Sequence, residues 1–416
     1  MQKKIQAIKE YLSKDYRLMY RPSGGLLNHK FLTPGACYSD CLWDWDPYFA
    51  DVALRQILLE NGEDTKEASE YEKGGILNFL EHTNDDGFMP IMITRDMTDE
   101  GMIPVKYPNE NMHKPVIAQH AAFLVKQENG NAHWLAPYFD KLRKFINCYL
   151  TRHTHTPTGL VFWQTDNMIG VDNDPCTFYR PDGSSASIFL NCLMVKELSA
   201  MAYLATCLGR EEDASYYIKE HERLATAVRE HCYDERDGFF YSVDINLRPV
   251  DSSEWLHSGA PRNWDCLIQR IDSWSGFAAL WAGVATREQA ERIATRFDEE
   301  QTFNCAGGIR TLSKLEKMYQ VVASGNPSCW LGPVWIISNY LTFRGLLCYG
   351  FTERARELCE KTINLLGEDV IKNGCMHEYY NPDNCEPVIN AGFLNWNMLV
   401  LNMAAWYEGR DFIEEF

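Results

Sequence analysis

The sequence predicts an all-α fold of two concentric helical layers, an (α/α)6 toroid barrel whose long loops form an active-site cleft at one end. Three observations predict it. About twelve segments place apolar residues three and four apart, the period of a helix with one buried face. The segments tend to alternate between an apolar member and a charged one, as expected of an inner helix followed by an outer one. The stretches between them are polar and rich in tryptophan, and loops carry function more often than helix interiors do.

In chain order the periodic segments are 3–13, 46–60, 66–82, 115–127, 133–151, 185–208, 211–231, 275–284, 287–297, 333–349, 352–366 and 391–408. Pro115 and Pro333 fall near a first helical turn, where a missing N–H costs nothing. Segment 185–208 follows serines suited to capping and is almost wholly apolar. Segment 211–231 carries Arg-Glu-Glu-Asp and Lys-Glu-His-Glu-Arg runs and reads as its outer partner. An open solenoid of helical hairpins would show a recurring sequence period, and none is present. No long polar linker divides the chain, so one domain over 1–416 is expected. The loops at 34–48, 86–114, 160–184, 254–274, 302–332 and 374–392 would then converge at one end.

Composition excludes several classes. A net charge of -18 argues against nucleic acid or an anionic membrane as partner, since both need a basic face. The first residues lack the apolar region of a secretory signal, and no run approaches the roughly 18 apolar residues of a membrane span. Fourteen cysteines mostly stand singly in apolar segments, which fits buried thiols better than disulfides. There is no Cys-x-x-Cys, no His-Glu-x-x-His and no Asn-x-Ser/Thr sequon with a residue other than proline in the middle. The expectation is a cytoplasmic protein with no metal site and no cofactor.

Two acidic stretches carry the chemistry. Gly170-Val171-Asp172-Asn173-Asp174-Pro175 and His377-Glu378-Tyr379-Tyr380-Asn381-Pro382 both place carboxylates beside glycine, proline or aromatics. Separated carboxylates with flat apolar faces are what sugar hydrolysis needs: an acid, a base and walls for a pyranose ring. Read alone, the first stretch is equally a turn closed by side-chain to backbone bonds, and Glu378 a solvated surface charge. Trp163 and Arg180 flank the first, and Tyr379 adjoins Glu378. In Cys41-Leu42-Trp43-Asp44-Trp45-Asp46 the aspartates either cap the next helix or, as Asp46 between Trp43 and Trp45, grip sugar hydroxyls through charge-assisted bonds. Trp330 is the ring-stacking candidate of its loop, and Trp335 is expected to pack.

At these residues the chain resembles glycoside hydrolase family 63, in its compact bacterial branch of mannosylglycerate and glucosylglycerate hydrolases, and more loosely the trehalases of family 37. The ordered motifs are Pro34-Gly35 with Leu42-Trp43-Asp44-Trp45-Asp46, Lys114-Pro115 with Ala118-Gln119, Gly170-Val171-Asp172-Asn173, Trp330-Leu331-Gly332-Pro333-Val334-Trp335 with Asn339-Tyr340, and Glu378-Tyr379-Tyr380 with Gly392-Phe393-Leu394-Asn395-Trp396. The resemblance implies inverting hydrolysis of an α-linked glucose or mannose, with Asp172 as general acid and Glu378 as general base. It also implies substrate contacts at Tyr38, Trp43, Trp45, Asp46, Gln119 and Trp330. The chain departs at Cys329, where the compact branch carries an aromatic residue against the non-sugar half of the substrate.

An inverting pair needs about 6.5–9.5 Å between its carboxyls, room for one water. Asp172 needs a raised pKa, expected from burial and from Asp174 and Asp182. Glu378 must stay ionised, aided by hydrogen bonds or by a cation such as Arg180, which otherwise suits an anionic group of the substrate. Two rivals share the scaffold. A sugar epimerase would use paired histidines, and His113, His120, His153, His155, His257 and His377 show no obvious pair. A non-catalytic sugar-binding protein would lose a carboxylate, and both are present.

Overall fold

The computed structural model describes residues 1–97, 110–250, 253, 255–256, 258–259, 262–322 and 325–416. His257 lies outside them, as do parts of the loops expected at 86–114, 254–274 and 302–332. Among the described residues twelve α-helices form: α1 (Gln2–Asp15), α2 (Asp46–Asn61), α3 (Lys66–Glu81), α4 (Ile117–Gln127), α5 (Phe139–Arg152), α6 (Ile188–Cys207), α7 (Glu211–Cys232), α8 (Ala278–Trp281), α9 (Arg287–Phe297), α10 (Ile336–Cys348), α11 (Thr352–Asn373) and α12 (Val400–Tyr407).

The even-numbered helices form the inner ring of an (α/α)6 barrel. Each touches the next, α2 on α4, α4 on α6, α6 on α8, α8 on α10 and α10 on α12, and α12 closes the ring on α2. Burial follows the composition. In α2 every residue from Asp46 to Leu58 is buried, whereas α7 buries only one stripe, Ala214, Tyr217, Leu224, Ala225, Ala227, Val228 and Cys232. Helix α6 is long and apolar enough by composition to cross a membrane, but 83% of that window is buried among its neighbours, so it serves as a core helix.

Five inner segments enter their helix later than periodicity predicts. The helices expected from 115, 185, 275, 333 and 391 begin at Ile117, Ile188, Ala278, Ile336 and Val400. Pro115 and Pro333 therefore stand just ahead of the helix rather than inside its first turn. Two-residue strands and 3-10 turns fill these entries, including Trp274–Phe277 and Asn395–Leu399. Asn395 has φ +29, outside helical geometry, so the regular helix cannot begin before it. The entries to α4, α10 and α12 contribute Lys114, Trp335 and Trp396 to a single cavity.

The other end is closed by residues 411–416. Glu415 accepts from Trp281 Nε1 at 3.1 Å, Tyr340 Oη at 2.6 Å and Arg344 Nε at 2.9 Å. Ile413 bonds Gln56 and Asn402 through its backbone, and Phe416 N donates to Tyr48 Oη at 3.0 Å. Lys126 Nζ lies 4.3 Å from the Phe416 ring, and Tyr203 packs on it at 5.3 Å. All six inner helices thus hold this segment.

Glu415→Ala should cost about 3 kcal/mol, because it strips the partner from a buried arginine and two aromatic donors. A urea midpoint at unchanged m-value reads this loss, and a shift below about 1 kcal/mol would discount the closure.

Candidate active site

The cavity at the loop end is about 640 Å3, within the usual range for a small-molecule site. Its base is a buried ion pair. Lys114 Nζ lies 2.9 Å from both Oδ1 and Oδ2 of Asp44, and both side chains are almost fully buried. Asp44 also accepts from the backbone N–H groups of Lys114 and Trp45, each at 2.9 Å. The aspartate is therefore neither a helix cap nor a sugar ligand. It ties the chain entering α4 to the chain entering α2. The α4 entry is fixed again by Glu197, whose carboxyl accepts the Ala118 and Gln119 N–H groups at 2.8 and 3.0 Å.

Two further carboxyls sit on this base. Asp46 opens α2 and lines the cavity, and Asn395 Nδ2 donates to it at 2.6 Å. Burial and the Asp44 charge push Asp46 up to about 8, against the opposing pull of Lys114 and Asn395. Burial thus favours its protonated form, which can donate as well as accept, over the anion expected from the sequence. Asp172 follows Gly170, whose φ is +85. A Cβ there would lie 2.4 Å from Lys114 Cε and 3.2 Å from the Trp45 ring, so only glycine lets this loop lie on the ion pair.

Asp172 and Glu378 line the same cavity. Glu378 is 5% exposed; Tyr38 Oη donates to it at 3.2 Å, and Asn390 Nδ2 donates as well. Burial raises Glu378 to about 7, with the Asp172 charge adding to the rise and the two hydrogen bonds opposing it. Burial also raises Asp172, with Lys114, Asn326 and Ser328 pulling down and Asp44 pushing up. Two sequence expectations are corrected here. The charges acting on Asp172 are Lys114 and Asp44, not Asp174 and Asp182. Among the described residues no cation stands beside Glu378: Arg180 pairs with Asp244 instead. The Asp172 charge thus disfavours ionisation of Glu378.

The walls are aromatic. Trp330 stacks on Trp335 with centroids 4.2 Å apart and planes 10° apart, and Trp335 stacks on Tyr379 at 4.9 Å. Trp45 lies 4.9 Å from Trp396 and 6.4 Å from Trp330. Asn173 Oδ1 accepts the Trp330 N–H at 2.9 Å, which joins the Asp172 loop to the loop before α10.

Of the residues singled out from sequence, Asp172, Glu378, Tyr38, Trp43, Trp45, Asp46 and Trp330 line the cavity. Gln119, Trp163, Arg180 and Tyr379 do not. Gln119 spends its amide N–H groups on the Pro115 and Leu193 carbonyls. Trp163 is buried in the core, Arg180 is held by Asp244, and Tyr379 lies behind Trp335 with its hydroxyl on Pro327 O at 2.6 Å. Cys329 is fully buried, its Sγ toward Gln320 O at 3.7 Å, so it forms no part of the wall. Sequence reasoning missed Lys114, Asn390 and Asn395 as site residues, although the first and third lie inside quoted motifs. The described histidines remain dispersed, His120 on Asp51 and His377 on Asp369, and no group of three metal-ligating side chains forms among the described residues.

Residues 42–412 match the family described as the mannosylglycerate hydrolase MGH1-like glycoside hydrolase domain. Mannosylglycerate hydrolase MGH1 of Selaginella moellendorffii is 33% identical over 120 residues, 26% of this chain and 20% of that protein. The chain thus matches about a fifth of the length of that relative. The family 63 mannosylglycerate hydrolase of Thermus thermophilus, solved with glucose, superposes with a TM-score of 0.67 at 20% identity, over 93% of this chain and 98% of that one. Neutral trehalase of Saccharomyces cerevisiae superposes at 0.65 and 16% identity, over 91% and 74%. These structures share the barrel.

Lys114→Met should cost about 3–5 kcal/mol in a denaturant titration, because Asp44 is left charged in a dry site. Adding Asp44→Asn should recover part of that loss. A single variant within about 1 kcal/mol of the parent would show that the pair does not hold the base together.

Proposed function

The chain belongs to the mannosylglycerate hydrolase MGH1-like glycoside hydrolase family, and from that premise we propose that it is an inverting glycosidase releasing an α-linked glucose or mannose from a small glycoside. The observation that carries this reading is the pairing of Asp172 and Glu378 in one tryptophan-walled cavity, each on its own loop and each raised in pKa by burial. Direct displacement needs one carboxylic acid and one carboxylate there. Asp172 gives its proton to the glycosidic oxygen. Glu378 takes a proton from water, which attacks the anomeric carbon from the opposite face. The C–O bond to the leaving group breaks, and the products are a hexose of inverted configuration and a free alcohol.

The surrounding groups support those roles. Tyr38 and Asn390 hold both oxygens of Glu378 in place, so that the water meets a fixed acceptor. Asn326 Nδ2 donates to Asp172 and steadies its carboxylate once the proton has left. The ring of a hexose fits between Trp43, Trp45 and Trp396, with Asp46 at its hydroxyls. The Thermus relative was solved with glucose, which supports a hexose as the sugar.

Asp172→Asn and Glu378→Gln should each lower kcat by at least about 10²–10⁴-fold with the fold intact. Near-normal turnover by either variant would sink the assignment. Proton NMR of the first-formed hexose should show the β-anomer from an α-linked substrate, and an α-anomer would mean retention. The pH profile of kcat/KM should be a bell. It rises with pH as the doubly protonated pair loses one proton and gains a base. It falls as Asp172 loses its proton, and burial shifts both limbs above the usual carboxylate range.

A further inference from the structure

We infer that the leaving-group half of this cavity takes a neutral, hydroxyl-rich aglycone, such as a second hexose or a small polyol, and disfavours one that carries a carboxylate. The inference rests on the glycosidase reading above and concerns which substrate that site accepts.

The leaving group departs toward the acid, so the residues around Asp172 border it. Asn326 Nδ2 donates to Asp172 Oδ2 at 3.4 Å, and Ser328 also reaches this carboxyl. Asn173, next to Asp172, donates from Nδ2 to the Ser328 carbonyl at 3.4 Å. Segment 326–328 and the loop from Asp166 through Tyr179 therefore make the walls on this side.

The ionisable groups on those walls are one-sided. Among the described residues, the cavity is lined by four carboxyl side chains, Asp46, Asp166, Asp172 and Glu378, and by one cation, Lys114. The Lys114 ammonium is already spent on both oxygens of Asp44. Arg180, the residue the sequence offers for an anionic group, is bound to Asp244 and is not in the wall. A carboxylate brought into this half would lose its water with no free countercharge among the described residues and would face Asp166 and the catalytic pair. The neutral groups present suit hydroxyls instead. Asn167, Gln320, Asn326 and Ser328 can donate and accept, while Phe178 and Pro327 offer apolar faces to C–H groups.

The test compares matched α-glucosides and α-mannosides of glycerol, glycerate and a second hexose with the intact chain at neutral pH. The glycerol or hexose glycosides should exceed their glycerate partners in kcat/KM by at least about tenfold. Whichever neutral class is faster identifies the source. A glycerate glycoside within about threefold of the neutral ones, or better, overturns the inference while the glycosidase reading stands. Asn167 is exposed at the rim, and Asn167→Arg should raise the relative kcat/KM for glycerate glycosides by about tenfold; no change in that ratio counts against the inference. If no glycoside is cleaved, the glycosidase reading falls. Calorimetric binding of the same compounds then decides the aglycone alone: tighter neutral ligands support the inference, while tighter glycerate ligands or no binding overturn it.

Discussion

A lysine ammonium gripped by both oxygens of one aspartate, out of reach of water, is the constraint on which the rest of this site depends. Asp44 and Lys114 belong to chain segments 70 residues apart. Their bond fixes where α2 and α4 begin relative to each other. Trp45 follows from Asp44, Asp46 from Trp45, and the Gly170 loop can approach only because it adds no Cβ against the lysine. An isolated buried charge here would be costly, so neither partner serves without the other. The pair also works electrostatically, since Lys114 opposes and Asp44 favours protonation of both Asp46 and Asp172.

The cavity concentrates acidic groups at the end of the barrel where the inner helices start. Asp46 opens α2, Trp335 caps α10, and the Trp396 turn runs into α12. Helix N-termini carry partial positive charge and unpaired N–H groups, which favours carboxylates nearby. Glu197 shows the same preference within the wall, where it satisfies two first-turn donors of α4. The ring of helices thus makes a tolerable home for acids that mutual repulsion would otherwise drive apart. What remains of that repulsion disfavours ionisation of Glu378.

Much of this was legible in the sequence, and the remainder was not for physical reasons. Helical periodicity located all twelve helices, because a stripe of apolar residues at 3.6 spacing is a local signal. It missed the late starts of the inner helices, because a loop residue recruited to a cavity looks no different from one in a first turn. The composition around Asp172 and Glu378 marked both stretches. Side-chain direction was hidden, which is why Gln119, Trp163, Arg180 and Tyr379 were assigned to a pocket they only support. Cys329 drew attention as the break in a familiar pattern, yet it points into the protein and leaves the wall to its neighbours. Lys114 was overlooked as a partner because nothing local announces that its counterion lies 70 positions upstream.

The segment that closes the far end carries a consequence for how the molecule comes to exist. Residues 411–416 touch all six inner helices, and α12 must meet α2 for the ring to shut. During synthesis, earlier hairpins can emerge and pair, but their inner faces stay uncapped until these residues leave the ribosome. Completion therefore waits on contacts of very long sequence separation, the kind that make folding slow and leave apolar surface open to aggregation. A ribosome stalled short of this point would release an unsealed ring rather than a slightly shortened enzyme.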